Sequence, residues 1–141
     1  MRRFIDEQLQ QWKMHYRRKP LIIRGARQVG KTFSITEFGK NNFKNCVVVD
    51  LEKNRDWHRF FQGNLDVKKI VSELEVVTGK KIAAGETLLF IDEIQSCPRA
   101  IAALRYFYED SPDLHVIAAG SLLEFALGTF SFPVGRVQFL E

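Results

Sequence analysis

The octapeptide Gly25-Ala26-Arg27-Gln28-Val29-Gly30-Lys31-Thr32 constrains this chain more than any other stretch. Two glycines frame four residues and are followed by Lys and Thr, the spacing of a loop that wraps phosphate. Such a loop must join a buried strand to a helix, and its flanks fit. Leu21-Ile22-Ile23 is a short apolar, β-branched run, and residues 32–43 carry a helical pattern. Glycines let the backbone take positive φ and turn its N–H groups toward an anion, while the positive end of the following helix adds to the field there. In a loop of this kind Lys31 reaches the β and γ phosphates and the Thr32 hydroxyl holds Mg²⁺. Lys31 is expected to stand in the loop as a charge with no structural partner of its own.

The rest of the composition describes one ordinary globular domain. At 141 residues, 45% hydrophobic, 12% aromatic and 27% charged, the chain is neither disordered nor fibrous. It is long enough to bury roughly two-thirds of its unfolded surface around one core. No apolar run approaches the ~20 residues of a membrane helix. The basic start at Arg2-Arg3 runs into Asp6-Glu7-Gln8 rather than a signal-peptide core, so a cytoplasmic location with no membrane partner is expected. Cys46 lies in a strand-like run and Cys97 beside Pro98, with no repeated Cys or His spacing; reduced thiols are expected rather than a metal site or disulfide framework. The formal net charge of +4 allows an acidic partner, which nucleotide phosphates alone would satisfy.

Taken in order, the chain alternates helices and strands. Ile5, Leu9, Trp12 and Tyr16 recur at helical spacing and predict an amphipathic helix over residues 1–19, closed by Arg17-Arg18-Lys19-Pro20. That basic cluster is read as a solvated helix end, with nucleic-acid contact as the alternative. The helix after the phosphate loop has Phe33, Ile35 and Phe38 to bury. Cys46-Val47-Val48-Val49-Asp50-Leu51 predicts a second strand, continuously apolar as in sheets covered on both faces. Residues 55–62 predict a short helix presenting Trp57, Phe60 and Phe61, read as packing rather than as base-stacking platforms. Asn64 or Asp66 then caps a helix with Val67, Ile70, Val71, Leu74 and Val77 inward and Gly79 at its C-terminal end.

Thr87-Leu88-Leu89-Phe90-Ile91-Asp92-Glu93 predicts a third strand, Pro98 opens a helix that buries Ile101, Leu104 and Phe107, and His115-Val116-Ile117-Ala118-Ala119-Gly120-Ser121 predicts a fourth strand. Residues 122–127 read as a short helix and residues 136–140 as a last strand. Alternating strands and helices imply an α/β fold with a parallel sheet.

The third strand ends in two adjacent carboxylates. Ligands of open α/β sheets bind beyond the carboxyl ends of the strands, and a buried strand gains nothing from two acids there unless they handle a cation or a water. Phosphoryl transfer needs a cradle, a metal, a positioned nucleophile and a group that senses the γ-phosphate. Residues 25–32 form the cradle. Thr32 and Asp92 hold Mg²⁺, Asp92 through water, and Glu93 orients or deprotonates attacking water. A kinase would not need the second acid, so the pair tilts the reading toward hydrolysis. Ser121 reaches the γ-phosphate or the water, or else serves a turn. Arg136 contacts phosphate in its own or a neighbouring subunit, or else is a surface residue.

Four ordered stretches, Arg24-Gly25-Ala26-Arg27-Gln28-Val29-Gly30-Lys31-Thr32, Phe90-Ile91-Asp92-Glu93-Ile94-Gln95, Ala119-Gly120-Ser121 and Pro133-Val134-Gly135-Arg136-Val137, resemble the bacterial and archaeal predicted ATPases of the AAA superfamily over nearly the whole chain. The resemblance implies a P-loop three-layer sandwich, with a five-stranded parallel sheet in the order 5-1-4-3-2 and helices on both faces. It implies catalytic roles for Lys31, Glu93 and Arg136, and ATP contacts from Gly25, Ala26, Arg27, Gln28, Val29, Gly30, Lys31, Thr32, Phe33 and Ser121. Mg²⁺ would fall to Thr32 and Asp92. Ala119 stands where relatives often have Thr. Relatives usually continue into a C-terminal domain of unknown function, so residues 1–141 are expected to be an ATPase core, led by the helix over residues 1–19, with a lid and C-terminal domains outside it. The expected activity is ATP hydrolysis coupled to a conformational change in the complete protein, in a homo-oligomer or with a DNA or protein partner held by the C-terminal domain. The alternative is a nucleotide-gated binding module with negligible turnover. The core alone is expected to bind ATP and hydrolyse it poorly, for want of a lid and a neighbour's arginine.

Overall fold

The computed structural model of the chain describes residues 2–24, 29–120 and 135–140. Helix α1 (Arg2–Met14) precedes strand β1 (Leu21–Arg24), helix α2 (Val29–Asn42) and strand β2 (Asn45–Asp50). A 3-10 helix (Arg55–Phe61) and helix α3 (Val67–Thr78) lead to strand β3 (Thr87–Asp92). A 3-10 turn (Ile94–Ser96), helix α4 (Pro98–Asp110), strand β4 (His115–Gly120) and strand β5 (Gln138–Leu140) follow.

The five strands among the described residues form one parallel sheet in the order β2-β3-β4-β1-β5, the order the family resemblance implies, read from the opposite edge. Side chains alternate between its two faces. Leu21, Ile23, Leu88, Phe90, Ile117 and Ala119 pack with Leu9 and Trp12 of α1 and Ile35 and Phe38 of α2. Ile22, Val47, Val49, Leu89, Ile91, Val116 and Ala118 face the other way, into the core built from the 3-10 helix, α3 and α4. Over β1, β3 and β4 both faces are covered, so these strands need no polar side and read as continuous apolar runs, whereas β2 at the edge of the sheet leaves Val48 38% exposed, short of the coverage expected for it. Phe61, Leu74, Leu104 and Phe107 are almost fully buried there. Each contributes roughly 1.5–3 kcal/mol relative to exposure.

Local signals set the helix ends. Asp66, not Asn64, caps α3, its carboxylate accepting the Lys68 N–H at 3.1 Å, and Gly79 ends the helix at φ 69°, a left-handed conformation that glycine takes without steric cost. In α2, Gly39 permits a close approach to the sheet, since a Cβ there would lie 2.7 Å from Cys46 Sγ and 3.0 Å from Leu88 Cδ2.

Two expectations are corrected. Helix α1 stops at Met14 rather than at residue 19, because the Trp12 indole N–H captures the Lys19 carbonyl at 2.7 Å and the intervening residues turn back. Tyr16 is consequently 87% exposed instead of packed. Phe33, near the N-terminal end of α2, is half-exposed, whereas Ile35 and Phe38 enter the core as expected. The helix expected over residues 122–127 lies outside the described residues. Among the described residues no helix is long and apolar enough to cross a membrane.

Candidate nucleotide site

Parallel strands bring their carboxyl ends to one edge. In the ladder Asp50 lies opposite Asp92 and Arg24 opposite Gly120, so the tips of β2, β3, β4 and β1 stand in a row. The first turn of α2 rises from the same edge, with its N–H groups and the positive end of the helix directed there.

That turn is fastened to two strand tips. Lys31 Nζ donates to the Arg24 carbonyl at the end of β1 at 2.7 Å, and the Thr32 hydroxyl donates to Asp92 Oδ2 at the end of β3 at 3.2 Å. The expectation that Lys31 has no structural partner is thus corrected. Its ammonium lies within reach of the last β1 carbonyl, and a strand tip offers a carbonyl that the ladder leaves partly unsatisfied.

Asp92 is buried, and burial raises its carboxyl above the ordinary carboxylate range. The Glu93 N–H, donating to Oδ1 at 2.9 Å, opposes that rise. The nearby charges of Asp50 and Glu93 add to it, and the Thr32 hydroxyl opposes it again. A cation would relieve this crowding of acids. Thr32 and Asp92 together offer a hydroxyl and a carboxylate oxygen, the hard donors Mg²⁺ takes when water and phosphate oxygens complete its shell. The donor set therefore fits the ion.

Glu93 follows immediately, with φ 54° and ψ 46°. It is the one non-glycine residue with positive φ among those described. Holding a glutamate in the left-handed region costs on the order of 1–3 kcal/mol, and residues so held cluster at functional sites. The backbone here is secured by the Ser96 hydroxyl, which donates to the Glu93 carbonyl at 2.9 Å. The buried Glu93 carboxylate accepts a hydrogen bond from Gln95 Nε2 at 2.7 Å.

Lys31, Thr32, Asp92 and Glu93 are therefore brought to one edge, with Gly30 and Phe33 among the opening residues of α2. Gly25, Ala26, Arg27, Gln28 and Ser121 lie outside the described residues, as does the side chain of Val29. Arg136 is not brought to this edge of its own chain. It precedes β5, whose first residue, Gln138, pairs with Leu21 at the start of β1, so it lies at the opposite end of the sheet. There its Nε donates to Glu109 Oε2 near the end of α4 at 2.7 Å, holding that carboxyl below the usual range. Two contributors escaped the sequence reading. Asp50 was read as part of a strand, although an acid ending a strand parallel to the Asp92 strand was a usable signal. Gln95 was legible only as part of a motif.

The fold occurs in a protein of known structure. The chain matches an Aeropyrum pernix ORC1 protein, solved in complex with DNA, with a TM-score of 0.57 at 13% identity; the match covers 99% of this chain and 44% of that one. At that identity the likeness establishes the fold. This chain thus spans less than half the length of the ORC1 chain. No curated protein matches it. The family described as "AAA domain" matches residues 17–141, a span that takes in the phosphate loop, the paired acids and all five strands. With that span covered and the sheet in the expected order, the chain belongs to the AAA-domain family, as an ATP-binding module of the AAA type.

Proposed function

We propose that this module binds Mg²⁺-ATP at the carboxyl edge of its sheet and that the intact protein hydrolyses it to ADP and phosphate. The observation that carries this reading is the convergence of Lys31 and Thr32 with Asp92 and Glu93 at one edge, although the two pairs come from distant parts of the chain. In this reading the loop over residues 25–32 and the α2 N-terminus cradle the phosphates, and Lys31 moves its ammonium from the Arg24 carbonyl to phosphate oxygens. Thr32 and Asp92 would hold Mg²⁺, which supplies charge neutralisation on the phosphates. Glu93 orients the attacking water and accepts its proton. Ser121, next after β4, senses the γ-phosphate. Arg136, at the far end of the sheet, acts only on a neighbouring subunit's nucleotide.

Glu93→Gln separates hydrolysis from binding, because the amide fills the same space and cannot take a proton. The variant is expected to keep the affinity for a fluorescent ATP analogue with Mg²⁺ and to lose phosphate release by ~10² or more. Unchanged release in the intact protein would remove Glu93 as base. Measuring release with and without DNA tests the coupling to a partner, including DNA of the kind present in the ORC1 complex.

A further inference from the structure

We propose that Gln95 is a positioning residue that aims the Glu93 carboxylate, and that Gly120 is a glycine because Gln95 needs its space. The proposal rests on Glu93 acting on water in ATP hydrolysis.

The left-handed backbone and the Ser96 bond hold the Glu93 main chain, but they leave rotation about its side-chain bonds. A carboxylate that must meet a water at one place is useful only when that rotation is restricted, since a displacement of about 1 Å can cost ~10²-fold in rate. Gln95, on the 3-10 turn just after Glu93, contributes such a restriction. Its Nε2 donates to Oε2 at 2.7 Å and occupies that one oxygen.

The amide is itself held. Gln95 lies so close over the tip of β4 that a Cβ on Gly120 would stand 2.0 Å from Gln95 Oε1 and 3.2 Å from its Cδ. Gly120 faces Arg24 in the ladder and directly precedes Ser121. The Gln95 side chain thus spans from the acid at the β3 tip to the backbone at the β4 tip. Its Oε1 is buried with no hydrogen-bond partner among the described residues, so forming the Glu93 bond leaves the other end of the amide unsatisfied. That sacrifice is expected of a side chain placed for its neighbour rather than for its own stability. The residue type also fits. A neutral amide orients a carboxylate without neutralising it, as Lys or Arg would, and without repelling it, as Glu would.

The test uses the intact protein and measures affinity for a fluorescent ATP analogue with Mg²⁺, together with KM and kcat for phosphate release. Gln95→Leu keeps the volume and removes the donor. It is expected to lower kcat by ~10- to 100-fold while affinity and KM change by less than ~3-fold. Gly120→Ala, which displaces the amide without altering it, is expected to shift kcat in the same direction. In a Glu93→Gln background, Gln95→Leu is expected to cause no further loss, because a residue acting only through Glu93 has nothing left to aim. Wild-type or raised kcat in Gln95→Leu would overturn the proposal, and so would a parallel loss of affinity, or an undiminished further loss in the Glu93→Gln background. If Glu93→Gln itself left release unchanged, or if the intact protein released no phosphate, the hydrolytic reading would fall and this one with it. A dead Glu93→Gln beside a fully active Gln95→Leu would remove the positioning role alone.

Discussion

The Thr32 hydroxyl donates to Asp92 Oδ2 at 3.2 Å across 60 residues of chain, tying the first turn of α2 to the tip of β3. Each end of this bond offers an oxygen suited to Mg²⁺, so in the proposed reading the bond marks where loop and sheet would jointly meet the ion.

From that pair we expect opposite effects of Asp92→Asn on stability and on binding. Burial raises the Asp92 carboxyl in the folded protein, so its ionisation opposes folding, with stability lost as pH rises from the ordinary carboxylate range through the raised folded value. Without metal or nucleotide, Asp92→Asn should unfold at a higher temperature, a gain on the order of 0.5–2 kcal/mol. Its nucleotide affinity should lose most of its Mg²⁺ dependence. Full Mg²⁺ dependence in the variant would show that Asp92 is not a ligand.

Lys31→Ala should abolish nucleotide binding and also weaken the fold slightly. The bond from Lys31 Nζ to the Arg24 carbonyl is lost with the side chain, at about 1 kcal/mol. Calorimetric melting and titration with ATP analogue read the two effects separately. Affinity within a few-fold of wild type would remove the phosphate-loop reading.

Gly39→Ala should destabilise, although alanine favours helix by about 1 kcal/mol. The added Cβ would sit 2.7 Å from Cys46 Sγ and 2.8 Å from Cys46 Cβ, so α2 or β2 must shift. Overpacking of this kind costs typically 1–3 kcal/mol, which outweighs the propensity gain. A urea midpoint at or above that of wild type would contradict the tight packing of α2 on the sheet.

A pH-dependent loss of stability is expected from His115. The ring is buried at the start of β4, edge-on to Trp12 at 5.6 Å and Phe43 at 4.9 Å. Burial, with the charges of Arg18 and Lys13, lowers its pKa to about 4, against a partial opposing effect of a hydrogen bond with the Lys13 backbone and of the charge of Asp113. Between about pH 6.5 and about pH 4 the unfolded chain binds a proton there that the folded chain does not, so stability falls as the pH drops through that window. The effect is on the order of 1–3 kcal/mol. His115→Phe should flatten this part of the pH profile of thermal unfolding; an unchanged slope would assign it to carboxylates instead.

Much of the fold was legible because its signals are local. The apolar runs at residues 21–24, 87–92 and 115–120 are strands, and Asp66, Gly79 and Pro98 mark helix ends. Tyr16 and Phe33 depart from the expected packing because helical spacing gives a direction around a helix but shows neither where the helix stops, at Met14 in α1, nor how far along α2 the core reaches. At the site, Lys31, Thr32, Asp92 and Glu93 were legible as motifs, whereas the hold of Gln95 on Glu93 was not, because it depends on the left-handed backbone of Glu93 itself and on the tip of another strand.

The sequence by itself determined the element types among the described residues, the phosphate-loop pattern and the paired acids, since each depends on residues within one turn or strand of one another. The strand order was implied by resemblance to a family rather than by any local pattern. Only the tertiary structure decided that Lys31 rests on the Arg24 carbonyl and that Gln95 fills the space left by Gly120. It also placed Arg136 beside Glu109, away from the site of its own chain. These relations join residues from separate elements, and what sets their distances is the register and layering of a sheet covered on both faces.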